Sequence, residues 1–150
     1  MPEHGVRMGD VMPLMLEALE RGQKVRFSPR GTSMLPMLRQ GKDSVTLAPI
    51  SGKLRKYDLP FYRRGDGSFV LHRIVAVGET YTCMGDNQFQ PEPGLTHEQM
   101  IAVVTAFTRN GKEYSVRNPM YWLYCRFWHA SRSVRHLRRR FLIRIRRNVE

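Results

Sequence analysis

The run Phe69–Val77 (FVLHRIVAV) constrains the fold more than any other stretch of the chain. It is rich in branched residues, and nearly every position is apolar, so it reads as a strand that the rest of the molecule must cover. Strict alternation puts Val70, His72, Ile74 and Ala76 on one face. A histidine in the middle of such a strand either borders a cleft or is buried with a partner. Turn signals surround it. Gly65-Asp66-Gly67 reads as a hairpin before it, and Gly85-Asp86-Asn87 ends a following strand over Thr80–Met84. Asn110-Gly111 is a type I′ signal between strands at Glu98–Phe107 and Glu113–Val116. Upstream, Lys24–Ser28 alternates, and Asp43–Ile50 is bounded by Gly41 on one side and by Pro49, Ser51 and Gly52 on the other. Pro60 interrupts Leu54–Tyr62, which makes any strand there an edge or a broken one. Gln88–Leu95 reads as a proline-containing loop that carries Glu92. The expectation is a mostly β domain of about six strands with short turns.

Helical spacing appears only at the two ends. Val11, Leu14, Met15, Ala18 and Leu19 recur at three and four, predicting a helix over Asp10–Arg21 with Asp10 as N-cap and Pro13 in the first turn. From Met120, the positions Tyr124, Phe127, Ala130, Val134, Leu137, Phe141 and Ile145 predict one long helix with an apolar stripe. Charge divides the chain in the same place. The 150 residues carry +12, of which +8 lies from Asn118 onward, where nine arginines face only Glu150. The organisation read from this is a body over residues 1–117 and a basic amphipathic helix over 118–150. At 150 residues the chain suits one domain, which at that size buries roughly 70% of its unfolded surface. Because the basicity belongs to the tail, and no helix-turn-helix, zinc finger or RNP-like pattern accompanies it, nucleic acid is not the expected partner. Cys83 and Cys125 are the only cysteines, without metal-ligand spacing, so neither a metal nor another cofactor is expected.

Between the first two strands lies Gly31-Thr32-Ser33-Met34-Leu35-Pro36, closed by Met37-Leu38-Arg39-Gln40-Gly41. Gly31 permits a tight turn and Pro36 keeps Leu35 extended, so Ser33 sits on a constrained connection and is the candidate nucleophile. A serine hydroxyl needs a base at neutral pH, and His72 titrates in the right range, near ~6.5 when unperturbed.

Taken in order, GTSMLPMLRQG, LHRIV and MGDN resemble the signal peptidase family of serine proteases over roughly Lys24–Thr108. The resemblance implies a signal-peptidase-like β domain with Ser33 as nucleophile and His72 as base, as in the Ser/His kind found in the endoplasmic reticulum and archaea. No lysine lies between Asp58 and Thr108 to act instead. It further implies an acid to complete the triad. Glu92 is the first choice, six residues after Asp86, and Asp86 of the GDN turn is the second. Where the family commonly has a serine two residues before the nucleophile, this chain has Gly31, so the oxyanion would rest on backbone N–H groups with Thr32. The implied activity is cleavage of a peptide or precursor protein through an acyl-enzyme. The alternative is a degenerate site that holds an extended peptide without cutting it. A self-cleaving, repressor-like protease is disfavoured, since that branch uses a lysine base and a DNA-binding domain.

The tail sets the expected location. Trp122 and Trp128 suit a headgroup boundary, and arginines such as Arg139 and Arg140 suit anionic lipid. No apolar run approaches the ~20 residues of a span, and Met1–Asp10 has no export pattern. The expectation is a cytoplasmic protein held peripherally on the inner membrane surface; the alternative is that the apolar stripe packs on the body and the arginines form a solvated face.

Overall fold

A computed structural model describes residues 8–147. The chain runs through α1 (Met8–Glu20), β1 (Val25–Phe27), β2 (Val45–Pro49), β3 (Pro60–Arg63), β4 (Phe69–Leu71), β5 (Arg73–Val77), β6 (Tyr81–Met84) and β7 (Glu92–Leu95). It continues through β8 (Met100–Arg109), β9 (Lys112–Ser115), α2 (Pro119–Ala130) and α3 (Arg132–Arg147). The fold is mostly β, with a helix at each end of the described chain. Its nine strands exceed the six expected and form two antiparallel sheets, one ordered β1-β2-β8-β3-β4 with β9 also on β8, the other β5-β6-β7. β8 is the spine of the larger sheet. Its residues Ala102 and Val103 pair with both β2 and β3, and Ala106 and Phe107 with both β2 and β9, so β3 and β9 share the edge opposite β2.

Both faces of the larger sheet are covered. The adjacent β3 residues Phe61 and Tyr62 point to opposite sides, yet both are buried. Phe61 joins Met15 and Leu19 of α1, Met34, Met37 and Leu38 of the serine turn, and Tyr121 and Cys125 of α2. Tyr62 joins Ile74, Cys83 and Leu95 of the second sheet. Two buried faces leave strands without clean alternation, which is why so many positions of these short runs are apolar.

Several elements differ from the sequence reading, each for a local reason. Phe69–Val77 is not one strand. It leaves the larger sheet after Leu71 and enters the smaller one at Arg73, with His72 at the crossing. β3 is not an edge: it lies between β8 and β4, and Pro60 is tolerated because it is the strand's first residue. Gln88–Leu95 is not all loop, since Glu92 pairs with Cys83 and Leu95 with Tyr81. α1 begins at Met8, so Asp10 lies in its first turn rather than at its cap, and Pro13 lies inside it. The long C-terminal helix is broken at Ser131, where the Trp128 carbonyl accepts from Ser131 Oγ and the Arg135 side chain. The boundary at Asn118 does not separate a body from a free tail, because α2 buries Tyr121 and Cys125 in the main core. α2 starts as helix chemistry dictates, with the Asn118 side chain accepting from Met120 N–H and Pro119 following.

Candidate active site

The turn that carries Ser33 is fastened by its carbonyls. Asn87 N–H donates to the Ser33 carbonyl (2.8 Å) and the Asn87 side chain to that of Thr32 (3.1 Å). The Arg109 guanidinium donates to the carbonyls of Pro36 and Met37. Downstream, buried Asp43 accepts two side-chain bonds and a backbone bond from Arg39, which together hold its carboxyl below the usual range. Gly85 of the GDN turn has to be glycine for a steric reason: a Cβ there would lie 2.5 Å from the Ser33 carbonyl oxygen. Gly31 has φ +87°, a conformation that a serine at this position would adopt only with strain. Its N–H is taken by Gln40 Oε1 (2.8 Å) and is not free for an oxyanion. Among the described residues, neither Ser33 N–H nor Ser33 Oγ has a hydrogen-bond partner, so the serine itself presents the free donor.

Ser33 and His72 line one cavity of about 270 Å³, together with Gly31, Arg64, Leu71 and Gln88. The strand crossing is what turns His72 out of both ladders and into this space. Its Nδ1 lies 3.4 Å from Tyr62 Oη, long for a hydrogen bond, and Tyr62 Oη donates to Glu92 Oε2 at 2.9 Å. Glu92 is gripped by Arg64 through Nε (2.9 Å) and Nη2 (2.8 Å), which lowers its pKa. A carboxylate only accepts, so the tyrosine's one proton is committed to Glu92 and its oxygen is left to accept from His72. This puts the imidazole proton on Nδ1 and the lone pair on Nε2. Burial, and next the nearby Arg64 charge, push the His72 pKa down to about 4, so the ring is neutral at pH 7. No hydrogen bond joins Ser33 to His72 among the described residues.

No protein-family model, curated protein or solved structure matches the chain. Its chemistry is therefore read from the geometry.

Asp86, the second choice for the acid, does not touch His72. Its carboxylate is engaged by Arg73 through Nε (2.8 Å) and Nη2 (2.8 Å), and by the Tyr124 hydroxyl (2.9 Å). Its carbonyl accepts from the Trp128 indole (2.7 Å). Arg73 also donates to Tyr121 Oη and reaches Cys125 and Met37 sulfurs, so this buried pair docks α2 on the serine turn. Glu92 does face His72, but only through Tyr62. Thr32 is exposed and supplies a carbonyl to the turn's anchoring. Trp128 is half-buried on the body rather than free, whereas Trp122, Arg139 and Arg140 are exposed. Tyr62 and Arg64 were missed by sequence reasoning. Tyr62 stands in a run that reads only as a broken strand, and Arg64 falls just past the end of β3, so no local signal marked the pair. Among the described residues, no cluster of three His, Cys, Asp or Glu side chains is placed to hold a metal ion.

Proposed function

We propose that the protein is a serine endopeptidase of signal-peptidase-like type. The observation that carries this reading is that Ser33 and His72 line the same cavity, with the far side of the imidazole occupied by Tyr62 and Glu92. Ser33 Oγ attacks the substrate carbonyl as His72 Nε2 takes its proton, and Tyr62, tied to Glu92, steadies the imidazolium that forms. The oxyanion receives the free N–H of Ser33. The imidazolium then protonates the departing amine, leaving an acyl-enzyme that water, deprotonated by the same histidine, resolves. A fluorophosphonate probe tests this directly. Wild-type protein should be labelled, and Ser33→Ala and His72→Ala should not; labelling that survives Ser33→Ala sinks the mechanism.

A second reading, a peptide-binding protein with a degenerate site, draws on the absence of a Ser33–His72 hydrogen bond among the described residues. Peptide binding by a chain that never labels would favour it.

We also propose that the protein associates peripherally with an anionic membrane surface on the cytoplasmic side. Val134, Leu137 and Phe141 of α3 are more than 60% exposed, Ile145 is 44% exposed, and arginines flank this stripe. No helix of the described chain is long and apolar enough to cross a membrane.

A further inference from the structure

Beyond the cavity, Ser33 and Thr32 open onto a groove of about 1260 Å³ whose walls are the Asn87–Pro93 segment and α3. Its charge is one-sided. Arg135, Arg138, Arg139 and Arg140 line it, and the single carboxylate in the lining among the described residues, Glu92, is already held by Arg64. No carboxylate among the described residues lies within salt-bridge distance of those four arginines. Two of them are pre-organised by aromatic rings. The Arg135 guanidinium lies 3.7 Å from the Trp128 ring centroid and 5.9 Å from that of Phe89, and Arg139 lies 5.5 Å from that of Phe89. Arg135 spends Nη2 on the Trp128 carbonyl and Nε on Ser131 Oγ, which leaves Nη1 to donate, whereas Arg139, with no hydrogen-bond partner among the described residues, keeps its fork for a carboxylate.

Resting on the reading of Ser33 as nucleophile, we propose that this groove selects acidic substrates: a peptide whose Asp or Glu residues lie close to the scissile bond on one side. The span from Arg135 to Ile143 covers roughly 12 Å of helix axis, which an extended peptide matches with about four residues. The exposed stripe of Val134, Leu137, Phe141 and Ile145 lies on a different helical face from Arg135 and Arg139, counted at about 100° per residue. A membrane on the stripe therefore does not use up the groove.

The test uses the full chain carrying Ser33→Ala, so that binding is read without cleavage. Fluorescence anisotropy compares an extended peptide bearing about four consecutive acidic residues with its Asn/Gln counterpart. The acidic peptide should bind at least about tenfold more tightly. The advantage should shrink between about 0.1 M and about 1 M salt, where the screening length falls from ~10 Å to ~3 Å. Arg135→Gln with Arg139→Gln should abolish the preference, while Arg144→Gln with Arg147→Gln, equal in charge but off the groove, should retain it. Equal loss in both double variants, equal binding of the two peptides, or an oligothymidine bound as tightly as the acidic peptide overturns the proposal. So does loss of anionic-vesicle binding, without loss of peptide binding, in Arg135→Gln/Arg139→Gln. Fluorophosphonate labelling of wild-type Ser33 is read in parallel. Acid-selective binding without labelling overturns the peptidase reading and leaves the groove's preference standing, whereas labelling without acid-selective binding overturns the preference alone.

Discussion

Replacing Asp86 by asparagine should unfold this protein more readily than any change at the serine would. Both side chains of the Arg73–Asp86 pair are only 3% exposed, and the guanidinium makes two 2.8 Å bonds to the carboxylate. Asparagine keeps the shape and removes the charge. Arg73, whose pKa is held well above its ordinary value beside Asp86 despite burial, cannot escape by losing its proton. Breaking a buried pair from one side costs about 3–5 kcal/mol, because the remaining charge stays uncompensated. At about 2–4 °C per kcal/mol for a chain of this size, the melting temperature should fall by roughly 6–20 °C. Urea unfolding followed by tryptophan fluorescence is a direct assay, since the Trp128 indole donates to the Asp86 carbonyl. Arg73→Met/Asp86→Leu, which removes both charges, should be more stable than Asp86→Asn. If Asp86→Asn lies within about 1 kcal/mol of wild type, or the double variant equals the sum of its singles, the pair is not the anchor argued here. A stable Asp86→Asn protein with its activity lost would instead return Asp86 to the catalytic acids.

Gly85→Ala drives a Cβ toward the Ser33 carbonyl and should slow fluorophosphonate labelling by roughly 10²-fold, the usual effect of misplacing a nucleophile by about 1 Å; unchanged labelling with intact circular dichroism would refute the contact's role. His72 binds its proton with a pKa of about 4 when folded and ~6.5 when unfolded, so between those values the unfolded chain takes up a proton that the native one refuses. Stability should be full above about pH 6.5 and fall by about 3 kcal/mol as pH drops to 4, a slope that His72→Gln should flatten. The labelling rate should likewise rise with a midpoint near 4, and a midpoint above about 8 would remove His72 as the base. The full chain should co-sediment with anionic but not neutral vesicles, and a chain ending at Ser131, which keeps docked α2, should lose that binding; equal binding by the shorter chain excludes α3 as the anchor.

Local chemistry was legible wherever one residue decides the backbone. Asn110, at φ 52°, and Gly111 make the turn between β8 and β9 that their dipeptide announces. The crossing at His72 was hidden because apolar character continues through Ile74 and Val75: covering both sheets requires it, and alternation cannot show where one ladder ends. β7 was concealed by Pro91, Pro93 and Gly94, residues that an antiparallel edge tolerates. Ser131 carries no glycine or proline signal, so the break between α2 and α3 was unreadable. Ser33 and His72 were each singled out from their own segments, and the fold brings both to one cavity. Asp86 was misplaced for a different reason: a GDN turn says where a carboxylate stands and nothing about which cation comes to meet it.

Arg73 touches Met37 beside the serine turn and Cys125 in α2, and this shared side chain has a consequence during synthesis. A ribosome delivers Ser33 and His72 long before it delivers Tyr121 and Cys125. Until those residues emerge, Arg73 lacks Tyr121 and Cys125, and the turn lacks the seat that α2 provides. Domains fold as units when their last core element arrives. The nascent chain would therefore carry Ser33 and His72 in an unassembled form, and whatever the cavity does would begin only after α2 has left the exit tunnel.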